Sequence, residues 1–206
     1  MEAPAIQSRR ATEEEYLRFE AESPDKHEFA DGQIIDMAGG TLEHSQIISN
    51  TIGELRAALK GKPCMVLESN MQVRIARKHT YRYPDASVVC GEPQLDTAAT
   101  GRRTLLNPKL IVEVLSPSTE GIDRGKKFSG YREITSFEEF VLISSDEPMI
   151  EVYYRQPDGI WRFTPARGMD ASISLSSIGV TLKLAEVYAG VTFPPLEEQS
   201  DPPRNN

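Results

Sequence analysis

Apolar and polar residues recur along this chain with a period that changes at definable points. Thr12 and Glu15, three apart, precede Tyr16, Leu17 and Phe19. That is the spacing of a capping box followed by an apolar stripe, and it predicts a short helix over 12–22. Asp31-Gly32 stands between two strand-like runs, the pattern of a tight hairpin. Apolar positions 42, 47, 48, 52, 55 and 59 follow the helical period, with Gly61 as the stop. Strand-like runs cover about 64–75, 80–90 and 108–115, separated by a polar, turn-rich stretch at 91–104 that reads as an exposed loop. A helix is predicted from about Asp123 to Ile134. After it, short apolar runs broken by Glu147-Pro148 and Asp158-Gly159 predict a meander of three antiparallel strands. One further strand over 172–183 and a short helix over 184–190 complete the pattern, before a polar tail rich in proline. Strands and helices in mixed order, with no internal repeat and no linker, predict one α/β domain. It spans 12–190, between an N-terminal tail at 1–11 and a C-terminal tail at 191–206.

Two of the predicted strands each carry one acid: Asp85 in YPDASVVC (83–90) and Glu113 in PKLIVEVLSPS (108–118). A carboxylate in an apolar strand is unfavourable by several kcal/mol unless a cation or hydrogen bonds compensate it. Pro84 suits a strand edge or bulge, where Asp85 could turn outward. Glu113, with apolar neighbours on both sides, predicts a strand covered on both faces. Two acids aimed at one point repel, and a divalent cation between them removes the repulsion. Oxygen ligands completed by water suit Mg²⁺. Asp123, Lys127 and Tyr131 are spaced four apart and therefore share one helix face, from which Lys127 can reach back toward the acids. A metal with two carboxylates and an ammonium can bind a phosphodiester and activate water.

Composition changes this picture little, and the charge distribution changes it more. With 26% charged and 39% hydrophobic residues, the sequence reads as that of a soluble globular protein. It has no apolar run long enough to span a membrane and no secretory signal, so a cytoplasmic location is expected. The net charge of −8 argues mildly against nucleic acid. However, residues 61–132 hold 12 Lys/Arg against 7 Asp/Glu, while the rest holds 11 against 24. The basic excess thus lies in the segment that bears the two acids, where it could attract a phosphate backbone. Cys64 and Cys90 sit in apolar strand-like settings and read as small buried hydrophobes rather than a disulfide. The three histidines and two cysteines lack zinc-ligand spacing, and His27 and His79 read as surface or edge residues. Ser116 and Ser118 read as a turn, Lys126 as solvated and Trp161 as core or interface.

YPD, IVEVLSPS and then Asp123, Lys127, Phe128 and Tyr131 together resemble the PD-(D/E)xK nuclease superfamily. Within it, the pattern is similar to the bacterial Uma-type group of restriction endonucleases. The hairpin HEFADGQIIDM, the histidine opening the next helix and the EEFVLI strand extend the resemblance over about 12–190. It implies an α/β, restriction-endonuclease-like core: a mixed central β-sheet flanked by helices, with an N-terminal β-hairpin and a C-terminal antiparallel meander. It implies that Asp85 and Glu113 ligate Mg²⁺, with Mn²⁺ as a substitute, that Glu28 can join them, and that Lys127 is the catalytic lysine. His44 would contact a phosphate or satisfy helix-end groups, and Asp123 would cap its helix and orient Lys127. In the superfamily's basic pattern the lysine stands two residues after the glutamate. Leu115 occupies that position here, whereas the Uma-type group takes its lysine from the following helix, as Lys127 does. The implied function is Mg²⁺-dependent hydrolysis of DNA phosphodiesters by a homodimer. Two rivals stand beside it: a catalytically degenerate nuclease-fold module that binds nucleic acid or a protein, favoured by Leu115, and a metal-dependent hydrolase of small phosphates.

Overall fold

A computed structural model describes residues 8–37, 39–97, 103–115 and 120–193 of the chain. Strand β1 (Ser8–Arg10), in the stretch expected to be a tail, leads into helix α1 (Glu13–Glu22). The predicted capping box is present. Thr12 Oγ1 accepts the Glu15 N–H at 3.2 Å, and the Glu15 carboxylate accepts the Thr12 N–H at 2.7 Å. Strands β2 (His27–Ala30) and β3 (Gln33–Asp36) form the predicted hairpin. Both residues of its turn are left-handed, Asp31 at φ 53° and Gly32 at φ 71°, which is what a two-residue turn between twisted strands requires. Helix α2 (Leu42–Ala58) buries Ile47, Thr51 and Leu55 on one face.

Each of the two predicted strands 64–75 and 80–90 is broken in two. The first gives β4 (Cys64–Glu68) and β5 (Val73–Ile75), and the second gives β6 (Thr80–Arg82) and β7 (Ala86–Cys90). The breaks have one cause: at each the chain crosses from one sheet to another. Pro84, which has no N–H for a ladder, lies at the second crossing. Within the stretch expected to be a loop, β8 (Leu95–Thr97) pairs with β9 (Arg103–Leu105). Strand β10 (Leu110–Leu115) follows. The predicted helix 123–134 starts earlier and stops earlier, as α3 (Glu120–Ile122), a π-helical turn (Asp123–Lys127) and α4 (Phe128–Tyr131). Strands β11 (Glu139–Ser144), β12 (Met149–Arg155) and β13 (Trp161–Arg167) form the predicted meander. The single strand expected over 172–183 is a hairpin of β14 (Ser172–Leu175) and β15 (Val180–Lys183), followed by α5 (Leu184–Val187).

Among the described residues the strands form a seven-stranded sheet, β1-β3-β2-β6-β5-β9-β8, a six-stranded sheet, β13-β12-β11-β10-β7-β4, and the β14-β15 hairpin. The six-stranded sheet is mixed, since β10 runs parallel to β11 and antiparallel to β7. Its two faces carry separate cores. Leu110, Val112 and Val114 of β10 pack with α2, α5 and the hairpin. Ile111 and Leu115, with Val89 of β7, face Tyr131, Phe137, Phe140 and the β5 side chains. Trp161 packs at the margin of this second core. Strand β10 is therefore covered on both faces, and Glu113 projects between Ile111 and Leu115 on the second.

Cys64 and Cys90 are not free buried thiols. The β4–β7 register sets them directly opposite each other, and their sulfurs are bonded. Ser116 and Ser118 lie outside the described residues. Among the described residues no helix is long and apolar enough to cross a membrane.

Candidate active site

The site forms at a notch in the six-stranded sheet. The β7–β10 register pairs Leu110 with Val88, Ile111 with Ser87 and Val112 with Ala86, and there it ends. Continued, it would set Asp85 opposite Glu113 and Pro84 opposite Val114. Because side chains two apart share a face, Asp85 belongs with Ser87 and Val89, on the face that carries Glu113. Val114 then has backbone groups with no strand to pair them, and side chains take over. Asp85 Oδ2 accepts its N–H at 2.7 Å, and His44 Nε2 lies 3.2 Å from its carbonyl oxygen. His44 Nε2 is also 3.6 Å from Asp85 Oδ2. The His44 ring reaches this position from the first turn of α2, where its own N–H is held by Thr41. Gly40 makes that possible, because a Cβ there would stand 2.7 Å from His44 Nδ1.

Glu113, 3% exposed, is held from the helical side. Tyr131 donates its hydroxyl to Oε1 at 2.9 Å, and Lys127 Nζ lies 3.0 Å from Oε2. Lys127 is also 2.8 Å from Asp123 Oδ1. Asp123 is therefore not at the start of its helix: it lies inside a helical run that is already under way at Glu120. Its carboxylate positions Lys127 instead. The π-helical turn, closed by the Phe128 N–H on the Asp123 carbonyl, is what the i,i+4 expectation misses, although both side chains still meet.

Glu28 is placed differently from the expectation. Its Oε1 accepts the Tyr83 N–H at 3.2 Å, and its Oε2 is ion-paired with the buried Arg82 guanidinium. Arg82 is thus committed to Glu28. Among the described residues no three His, Cys, Asp or Glu side chains are grouped to hold a metal. Asp85, Glu113 and Glu28 therefore do not make a three-acid cage, because Glu28 faces a guanidinium.

The electrostatics follow from these placements. Burial pushes the Glu113 carboxyl well above the usual range against the opposing pull of Lys127, and the charges of Asp123, Asp85 and Glu28 push it the same way as burial. Burial works against the Lys127 ammonium, but Glu113, Glu28 and Asp123 outweigh it and raise its pKa. Burial opposes ionisation of Glu28, yet Lys127 and Arg82 hold its carboxyl below the ordinary value. The His44 imidazole is raised, because the hydrogen bond and charge of Asp85 exceed the effect of burial. Tyr131 is raised by burial and by Glu113 and Glu28, which keeps its hydroxyl protonated as a donor. Four acidic side chains, Glu28, Asp85, Glu113 and Asp123, thus surround two fixed cations, Arg82 and Lys127. Asp85 and Glu113 supply oxygen donors of the kind a hard divalent ion takes, and Mg²⁺ needs only one or two protein carboxylates and keeps water for the rest.

Comparison with known proteins places this arrangement. The Uma2 family profile, described as "Putative restriction endonuclease", matches residues 13–185. The chain belongs to the Uma2 family. Two Synechocystis sp. (strain ATCC 27184 / PCC 6803 / Kazusa) proteins are similar to it. "Uncharacterized protein slr1290" is 35% identical over 93% of this chain and 98% of its own length. "Uncharacterized protein sll1609" is 33% identical over 80% of this chain and 92% of its own. The fold matches the crystal structure of "a putative nuclease belonging to DUF820" from Anabaena variabilis ATCC 29413. The TM-score is 0.67 at 19% identity, covering 86% of this chain and 97% of that one. The Uma2 description points to a nuclease, and the structural match shows the shared fold.

In this Uma2 chain the structure brings together Asp85, Glu113, Lys127, Asp123, Tyr131 and His44, and sets Glu28 one ion pair away. Sequence reasoning missed three participants: Arg82, Gly40 and the backbone of Val114. A guanidinium in an apolar strand directly before Tyr83-Pro84 is a signal for the first, and a Gly-Gly pair before a capped helix is one for the second.

Proposed function

We propose that this chain is a Mg²⁺-dependent endonuclease that hydrolyses DNA phosphodiester bonds. The observation that carries this reading is the notch itself. Asp85 lies there close enough for its charge to act on the Glu113 carboxyl, and the Lys127 ammonium is fixed 3.0 Å from Glu113. Asp85, Glu113 and the Val114 carbonyl would hold the ion, which when bound polarises a phosphodiester and offsets charge on its oxygens. Water adds to phosphorus, the ester P–O bond breaks and the leaving oxygen takes up a proton. Lys127, kept cationic by three carboxylates and aimed by Asp123, meets the negative charge that builds on the phosphoryl oxygens. Tyr131 keeps Glu113 from turning away, and His44 keeps Asp85 and Val114 in register.

Purified protein should cut plasmid DNA with Mg²⁺ or Mn²⁺ and not with EDTA. Asp85→Asn should lower the rate by about 10²-fold or more, the scale lost with one electrostatic element of a preorganised site. Equal cleavage by the wild type and Asp85→Asn would sink the proposal. A duplex cut on both strands needs two sites, so a homodimer is proposed as the working unit, with light scattering as its check. A second reading, a catalytically silent nucleic-acid-binding module, is favoured by Lys127 already neutralising Glu113 and by Leu115 being buried in the core. Metal titration by calorimetry separates the two, since the module should show no heat at millimolar Mg²⁺.

A further inference from the structure

The helical run from Glu120 to Tyr131 has two working faces. Asp123, Lys127 and Tyr131 face the acids. Gly125, Lys126 and Gly130 face a separate cavity of about 360 Å³, between this run, the Asp31-Gly32 turn and strands β5 and β6. That volume is within the roughly 300–1,000 Å³ of small-ligand sites. Gly130 lets the helix approach closely, since a Cβ there would stand 3.1 Å from Ile75 Cδ1, at the inner end of the cavity.

The charges around the cavity are cationic on three sides. Lys78, on the exposed turn that also carries Arg77, forms one rim, and Lys126, 75% exposed at its side chain, forms another. Arg82, 4% exposed, lies in the wall between the cavity and the acid cluster. Its guanidinium pairs with Glu28 and leaves Nε buried without a partner among the described residues. The one anion on the cavity, Asp31, stands 4.0 Å from Lys126. Both are exposed, and an exposed pair at that distance is worth little. Lys126 is therefore free to exchange Asp31 for a better anion.

We propose that this cavity receives a backbone phosphate of duplex DNA next to the one that is cut, held by Lys78 and Lys126 at the rim and by the field of Arg82 behind them. The proposal rests on the DNA-nuclease reading and adds a positioning subsite to it. It also gives the basic excess of residues 61–132 a place to act. One of the two rim cations, Lys126, shares its helical run with Lys127, which links positioning to the chemistry.

The test is binding of a labelled duplex by fluorescence anisotropy in EDTA, where nothing is cut, over a series of salt concentrations. Lys78→Gln and Lys126→Gln should each weaken binding several-fold. Each should also flatten the slope of log affinity against log salt by about 0.9, the value for one lost phosphate contact. Asp31→Asn should do the opposite and bind more tightly. Asparagine tolerates the left-handed conformation of that turn, so its fold is safe. Lys183→Gln, on β15 across the other core, should bind as the wild type does. If both rim variants bind as the wild type does, or Asp31→Asn binds no better, the subsite is wrong while the nuclease reading stands. If the wild type itself fails to bind duplex DNA, both fall together.

Discussion

Glu113 is the residue at which the opposing forces are largest. It is buried, faces three other carboxylates and is answered by one ammonium and one hydroxyl. Its folded pKa is raised above the unfolded value of about 4.3. The folded chain therefore binds this proton more tightly than the unfolded chain, and stability falls as pH rises through the window between the two values. Glu113→Gln removes that loss. Thermal denaturation from pH 5 to 9 should show the variant gaining on the wild type as pH rises, while it loses DNA cleavage. A variant that loses stability uniformly across this range would show that the ionised carboxylate is a net stabilising group. His44 has the same sign. Its raised pKa contributes stability below the ordinary histidine value, and this is lost as pH rises through the raised one. Lys127 stays charged throughout, so the pH response of the site belongs to Glu113 and His44.

Among the elements, the helical run beside the acids lies close against β5. A Cβ on Gly130 would stand 3.1 Å from Ile75 Cδ1, and the next residue, Tyr131, holds Glu113. Gly130→Ala should therefore push α4 outward by a few tenths of an ångström and cut the cleavage rate about tenfold, in keeping with the sensitivity of positioned groups. Ile75→Val removes the Cδ1 that the new methyl would meet. The double variant should recover most of the loss, and a double-mutant cycle on cleavage rate and melting temperature measures the coupling. Several elements were legible in the sequence because their signals are local: the Thr12–Glu15 box, the Asp31-Gly32 turn and the four-residue spacing of Asp123, Lys127 and Tyr131. The strands at 64–75 and 80–90 were legible only as extended chain. Alternation tells which face a side chain takes, but not which sheet receives the strand, so both crossings were invisible. The capping role expected for Asp123 failed for a related reason. A cap and a mid-helix acid look alike until the start of the helix, here Glu120, is known. Glu28 was legible as a significant acid, but its partner Arg82 depends on β2–β6 pairing, which no local pattern encodes.

The whole molecule is two sheets threaded by one chain, and its charge is divided along that thread. The candidate site draws Glu28 and Arg82 from the seven-stranded sheet, Glu113 from the six-stranded one and Asp85 from the crossing between them. At the far edge of the second sheet, Cys64 and Cys90 tie β4 to β7, closing a loop with a sequence separation of 26. On chain-entropy grounds such a closure stabilises the fold by about 3 kcal/mol, or roughly 5–15 °C in melting temperature for a domain of this size. Reductant should lower the melting temperature of the wild type by that order. It should leave a Cys64→Ala, Cys90→Ala variant unmoved at the lower value. Indifference of the wild type to reductant would show that the pair contributes nothing. The cysteines lie at one end of β7, and at its other end, Ala86, the β7–β10 pairing stops and opens the notch.

That notch has a consequence for the peptide group it leaves unpaired. The amide proton of Val114 is held by a carboxylate, not by a neighbouring backbone. Its exchange with deuterium is therefore tied to the placement of one side chain. Asp85→Ala should leave this amide without its acceptor and speed its exchange, while the amides of the β10–β11 ladder keep theirs. The molecule thus carries, in a single main-chain hydrogen, a gauge of whether that acid stands in its place.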